Sequence, residues 1–333
     1  MAGTYGSGRT FIKERGTRIM PQIPGLPFTQ GNVWHVKPSS GLDGNYGDHP
    51  DSAFKTLAQA QSAATANQND VVLFYCESNT AASTTDYQLT NLAWAKDNVH
   101  LIGVGDSAFI GQRARIAQSA LALTLSDMFT LSANNCRIQG IEFYQGIAPA
   151  APATTNTCRA MVVSGMRNKI VNCQISGVGD LSMDLASSCS LSVTGDENHF
   201  VGDYIGLDTV LRTTSATDIS INGGTRNLFD DCVIQTYTAN TSYKAVTLAA
   251  GSYHTATWFR NTIMCAETNR TSVAVPTGGI LHSAAGTVYM LGGGVFGYAN
   301  VSTATNANIL LLSYAGLATH ATLPGIAAGQ QTT

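Results

Sequence analysis

Charge is scarce in this chain. Lys, Arg, Asp and Glu make up 12% of its 333 residues and leave a net charge of −3. No Lys/Arg cluster with interleaved aromatics occurs, so a nucleic-acid partner is not expected. Long apolar runs are missing too. The longest is Ile309-Leu-Leu-Leu312, far short of the ~20 residues that cross a bilayer, so no membrane partner is expected. Residues 1–20 carry Arg9, Lys13, Arg15 and Arg18 without an apolar signal-peptide core, which leads to the expectation of synthesis in a cytoplasm. The seven cysteines (Cys76, Cys136, Cys158, Cys173, Cys189, Cys232, Cys265) form no C-x-x-C pair. Neither a zinc site nor any other metal or cofactor is expected, and buried free thiols are the reading for these cysteines.

What the chain does have is a cryptic repeat. Apolar pairs five residues apart recur as Ile138/Phe143, Ile170/Ile175, Phe200/Ile205, Phe229/Ile234, Trp258/Ile263 and Met290/Val295, at steps of 32, 30, 29, 29 and 32 residues. Leu101 opens an earlier, degenerate copy. Three copies align without gaps: Asn168–Ile175, Asn198–Ile205 and Asn227–Ile234. Between the two members of each pair lies a polar or small doublet, such as Asn172-Cys173, Gly202-Asp203, Asp231-Cys232, Arg260-Asn261 and Gly292-Gly293. Such residues accept the left-handed backbone of a tight corner. Each copy thus reads as two short strands around a corner, followed by a loop. A period of this size points to a solenoid. The low leucine content of the units excludes leucine-rich repeats, and the β-branched content with scattered glycine excludes helical repeats. A β-sandwich also has short, regular strands, but the persistent register of apolar and corner positions favours an all-β parallel β-helix.

The organisation expected is an extended arm over 1–31, a β-helix over 32–300 and a tail over 301–333. The arm holds four basic residues against Glu14, together with Pro21, Pro24 and Pro27, while the rest of the chain carries 14 basic and 20 acidic residues. A segment of this kind does not build a core. It is expected to dock on an acidic partner surface through Arg9, Lys13, Arg15 and Arg18. The tail is expected to pack on the last coil or on a neighbour. Residues 32–61 read as a strand, a Gly/Asn/Asp-rich loop and an amphipathic helix near 51–61, with Phe54, Leu57, Ala58 and Gln61 at helical spacing and Asp51 or Ser52 as N-cap. Such a helix would cover the open end of the solenoid.

This opening carries Pro38-x-x-Gly41-x-Asp43-x-Asn45-x-Gly47, then Thr56-Leu57-x-x-Ala60, then Asn98-Val99-x-Leu101-Ile102-Gly103. In that order the motifs resemble the start of pectate-lyase-like right-handed, single-stranded parallel β-helix proteins, and the coil alignment extends the resemblance to about residue 300. With its short basic arm, the layout is most similar to virion proteins of tailed bacteriophages: tail spikes, head fibres and capsid decoration proteins, commonly homotrimers. The resemblance implies a virion location on the capsid surface, with a major capsid or other virion protein as partner.

Several β-helix families cleave polysaccharides. Hydrolysis takes two carboxylates ~5–9.5 Å apart, and the candidates are Asp203, Asp208, Asp230 and Asp231. Asp230-Asp231 resembles the paired aspartates of polygalacturonases, without their Gly-His-Gly and Arg-x-Lys companions. Arg260 stands at an equivalent corner without the acid cluster of a calcium-dependent lyase. No His (35, 49, 100, 199, 254, 282 or 320) sits in a nucleophile motif. Gly292-Gly-Gly294 lacks the Lys-Ser/Thr of a phosphate loop. Tyr204, Tyr237, Trp258 and Tyr289 fall at or near core positions. Acids at corners cap turns more often than they catalyse. The reading is therefore a non-enzymatic, trimeric virion decoration or fibre protein with no catalytic residues. Its rivals are a tail-spike-type polysaccharide depolymerase, which predicts clustered acids from adjacent coils, and a carbohydrate-binding adhesin, which predicts exposed aromatics along one face.

Overall fold

In the computed structural model, the described residues are 31–77, 85–105, 114–146, 157–249, 253–282, 285–303 and 309–311. The four basic residues of the arm, and most of the tail, lie outside them. Three parallel sheets of ten, eight and seven strands run the length of the molecule. Each full coil gives one strand to each sheet, as in Lys169–Val171, Gln174–Ser176 and Cys189–Val193. Strands one coil apart pair in register (Ile138 with Ile170, Ile170 with Phe200, Phe200 with Phe229). The chain is a parallel β-helix, as the repeat requires.

Two corners make the coil. The corner from the ten-stranded to the eight-stranded sheet is turned by a residue of positive φ in each of six coils: Gly140, Asn172, Gly202, Asp231, Asn261 and Gly292. Gly, Asn and Asp tolerate this conformation, which is why the doublets were visible in the sequence. The residue after the turn points inward. Cys173, Asp203, Cys232 and Thr262 stack there, all buried. The Cys173 and Cys232 thiols each lie 3.4 Å from the carbonyl two residues earlier. Ahead of the ten-stranded sheet, Asn168, Asn198 and Asn227 form an internal ladder. Each side-chain oxygen accepts from the backbone N–H one coil earlier (2.8–2.9 Å). Each amide donates to the carbonyl of Ala133, Gly165 or Gly195. The ladder satisfies backbone groups that the bend would otherwise leave buried and unpaired.

The main core among the described residues is a continuous cluster from Val36 to Ile309. Phe200, Phe229 and Phe259 stack inside it at centroid distances of 4.6 and 5.0 Å. This corrects the repeat at one copy. Leu228 pairs with Trp258 and Phe229 with Phe259. Likewise Val233 pairs with Ile263 and Ile234 with Met264. The inward pair is therefore Phe259/Met264, and Trp258 and Ile263 face out. A register irregularity between His254 and Thr257, with Ala256 at positive φ, shifts the strand by one residue, and a slip of one exchanges the two faces.

The opening motif builds the lid. Asp43 accepts from the backbone N–H groups of Lys55 and Thr56 (2.9 and 2.8 Å), and Asn45 donates to the Ala53 carbonyl. The helix itself is Leu57–Ala63, capped by Thr56. It starts later than expected because Pro50–Ser52 forms a separate 3-10 turn and Phe54 bridges to Val36. Leu57, Ala60 and Ala64 join the core, while Ala58 is exposed. At the other end, Ile309–Leu311 extends the ten-stranded sheet beside Ala285–Leu291.

Candidate functional site

Strand alternation sends every second side chain of the ten-stranded sheet outward. Two outward rows result, fixed by the strand register. One runs Arg137, Lys169, His199, Leu228, Trp258, Tyr289, and the other Gln139, Val171, Val201, Asp230, Arg260, Leu291. Their convergence point is Asp230. Its carboxylate receives a fork from Arg260, with Nε at 2.6 Å from one oxygen and a terminal nitrogen on the other. The His199 Nε2 lies 3.6 Å from the same carboxylate. Asp230 is largely buried, His199 half-buried and Arg260 half-exposed.

The electrostatics follow from the contacts. The Arg260 guanidinium, ahead of His199, holds the Asp230 carboxyl below its usual range, so it is ionised at neutral pH. Burial, reinforced by Lys169, lowers the pKa of His199 against the opposing pull of Asp230, so the imidazole is neutral. A neutral imidazole close to a carboxylate and a guanidinium can take a proton and let the cation stabilise developing negative charge. The 3.6 Å gap is longer than a hydrogen bond; such contacts often tighten only when substrate is bound.

The other candidates separate. Asp231 occupies the corner turn and is exposed; it is near enough to Arg260 to favour the guanidinium's charge, but it makes no contact with His199 and stands outside the two rows. Asp203 is inside the solenoid, where it accepts from the Cys173 N–H at 2.7 Å and burial pushes its carboxyl up to about 8. Asp208 lies in the loop after the eight-stranded sheet, 3.6 Å from Arg270. Among the described residues Asp230 is the one acid in the two rows. Two of the aromatics depart from expectation. Trp258 and Tyr289 stack on the outer face, 4.2 Å apart and 14° from parallel. Tyr237 lies under Arg270, and Tyr204 is buried. His199 was not singled out from sequence. It immediately precedes an inward Phe, as Asp230 and Arg260 immediately follow one; that shared parity around the apolar register was the available signal.

No known family profile matches the chain, and no curated relative does. Among solved structures it is similar to a pectin methylesterase in complex with a hexasaccharide (17% identity, 79% of this chain and 79% of that chain covered, TM-score 0.50). It also matches a rhamnogalacturonan lyase (13%, 78% and 74%, TM-score 0.44) and, more remotely, the tailspike protein of Acinetobacter baumannii bacteriophage Fri1, a capsular polysaccharide depolymerase (9%, 79% and 55%, TM-score 0.33). The first likeness supports the pectate-lyase-like β-helix fold. The expectation of a non-enzymatic protein is corrected: the solved structure whose fold it shares is a carbohydrate-active enzyme, a pectin methylesterase.

Proposed function

We propose that the protein is a polysaccharide-cleaving β-helix enzyme of the tail-spike type, working on the outer face of the ten-stranded sheet. The observation that carries this is the Asp230–Arg260–His199 constellation, drawn from three successive coils and flanked by the outward Trp258–Tyr289 stack. His199 is the general base and then the acid. With Nε2–H directed at Asp230, Nδ1 is left to accept the proton. Asp230 orients the ring and stabilises its cation, and Arg260 faces the charge that develops on the sugar. In the same reading the arm residues Arg9, Lys13, Arg15 and Arg18 anchor a homotrimer on a virion protein of a tailed phage.

The test is incubation with a panel of bacterial surface polysaccharides. Both new reducing ends and unsaturated ends are followed, which separates hydrolysis from elimination. Cleavage by the native chain, reduced about 10²–10⁴-fold in His199→Ala, is the expected result. A chain that cleaves nothing in the panel, or an H199A variant as active as the native chain, overturns it.

A further inference from the structure

The first outward row is divided in the middle. Arg137, Lys169 and His199 occupy three successive coils, and Leu228, Trp258 and Tyr289 the next three. We infer that Arg137 and Lys169 are specificity-determining residues, binding an anionic substituent of the glycan about two coils from Asp230, while the Leu228–Trp258–Tyr289 half takes uncharged sugar. The inference rests on the proposed reading of this face as the glycan surface.

Three observations support it. First, among the described residues neither cation has an ion-pair partner. Lys169 is exposed, and the nearest acid in the two rows, Asp230, has both oxygens engaged by Arg260. A chain of net charge −3 thus sets unneutralised positive charge on one flat face, where a ligand can supply the negative charge. Second, Arg137 is held in place, because its Nε donates to Gln139 Oε1 in the neighbouring row at 2.8 Å. A guanidinium fixed along the sheet offers its remaining donors in a fork suited to a carboxylate or sulfate. Third, the aromatic half is closed to face-on stacking between its own members. Trp258 and Tyr289 cover each other at 4.2 Å, and they present an apolar edge for the C–H surface of a neutral ring. Neighbouring strands lie about 4.8 Å apart, so Lys169 is about 10 Å from Asp230 along the solenoid. That separation is on the scale of two sugar rings. A glycan lying along the axis would then meet the cations with one unit and the Asp230 cluster with another. The chemistry fits a heteropolysaccharide whose acidic unit alternates with neutral ones.

The test uses the full chain and acidic bacterial heteropolysaccharides. Each is compared with its carboxyl-reduced and desulfated forms, and neutral dextran is included. Binding is read by affinity electrophoresis at low and high salt. We expect an acidic member to bind in a salt-sensitive manner. Arg137→Gln/Lys169→Gln should weaken it about tenfold and leave the residual binding of the neutralised form unchanged. Trp258→Ala should weaken both forms. Whichever treatment removes binding tells a carboxylate from a sulfate. Equal binding of acidic and neutralised forms, or full acidic binding by the double variant, overturns this inference and leaves the glycan surface standing. No binding to any member, dextran included, overturns the surface itself. Lys169 is exposed and Arg137 lies on the outer face, so thermal melts of the double variant are expected to match the native chain.

Discussion

At the residue scale, the solenoid interior holds carboxyl groups where thiols and apolar side chains fill equivalent positions. Asp203 stands between Cys173 and Cys232 in the corner stack, and burial raises its pKa to about 8. Asp218 is enclosed by the Tyr243 hydroxyl at 2.9 Å and by Thr236, near the Arg212–Asp184 pair, with its pKa raised to about 7. An unfolded Asp titrates near 3.9. Between that value and the folded pKa, the native chain holds a proton that the unfolded chain has lost, so stability falls as pH rises. His35 and His100, whose folded pKa values are lowered to about 4, act oppositely below pH 6.5. Above pH 6.5 the carboxyls act without that offset. Stability is expected to fall from pH 6.5 to 8 by about 1.4 kcal/mol per pH unit for each carboxyl still protonated in the fold. Asp203→Asn retains an acceptor for the Cys173 N–H and removes one titration, so its urea midpoint should fall less over the same range. A pH dependence identical to the native chain would mean that Asp203 does not hold its proton. Such residues explain what the sequence could show. The corner position of Asp203 was legible, but its inward direction, and the outward direction of Trp258, depend on parity. Where Trp258-Phe259 and Ile263-Met264 offer two apolar neighbours each, composition cannot set parity, and the Asn that marks the register in other copies is Thr257 here.

At the scale of elements, the strands were easier to place than the helix. A strand in a solenoid repeats its register in each coil, so errors in one copy are checked by the next. The capping helix occurs once, and its start is set by tertiary contacts. Asp51 and Ser52 offered a local cap, but their turn ends as 3-10. The helix N-terminus is served from elsewhere: Thr56 accepts from the Gln59 N–H, Asp43 holds the Thr56 N–H, and buried Asp86 accepts from the Leu57 N–H at 2.8 Å. Asp86 comes from the first strand of the eight-stranded sheet, Thr85–Gln88, and faces the interior opposite Ile116, so no local motif could announce it. Thr56→Ala should therefore cost about 1 kcal/mol in denaturant unfolding, whereas Ser52→Ala should stay within about 0.5 kcal/mol. The reverse order would return the cap to Ser52.

At the scale of the molecule, one axis organises both stability and the candidate site. Each strand pairs only with strands of the adjacent coils, so stability is close to a sum of coil and interface contributions. The same stacking brings His199, Asp230 and Arg260 together although about 30 residues separate each from the next. Asp230 and Arg260 could be singled out individually from sequence; their meeting with His199 could not, because it depends on a register that strand pairing settles. The inner and outer columns are therefore coupled. Phe200, Phe229 and Phe259 stack directly beneath His199, Asp230 and Arg260, each one residue away along its strand. Phe229→Ala removes the middle ring, with both neighbours left facing a cavity, and should cost about 3–5 kcal/mol. Nearest-neighbour coupling sets where the loss appears. Amide exchange should accelerate in Leu228–Asp230 and in the flanking strands His199–Val201 and Tyr253–Arg260. Protection in the capping helix Leu57–Ala63, several coils away, should change much less. Uniform loss of protection along the chain would instead show that the whole solenoid unfolds as one unit. If the local pattern holds, cleavage by F229A should fall along with it, since the constellation loses the layer that fixes its spacing.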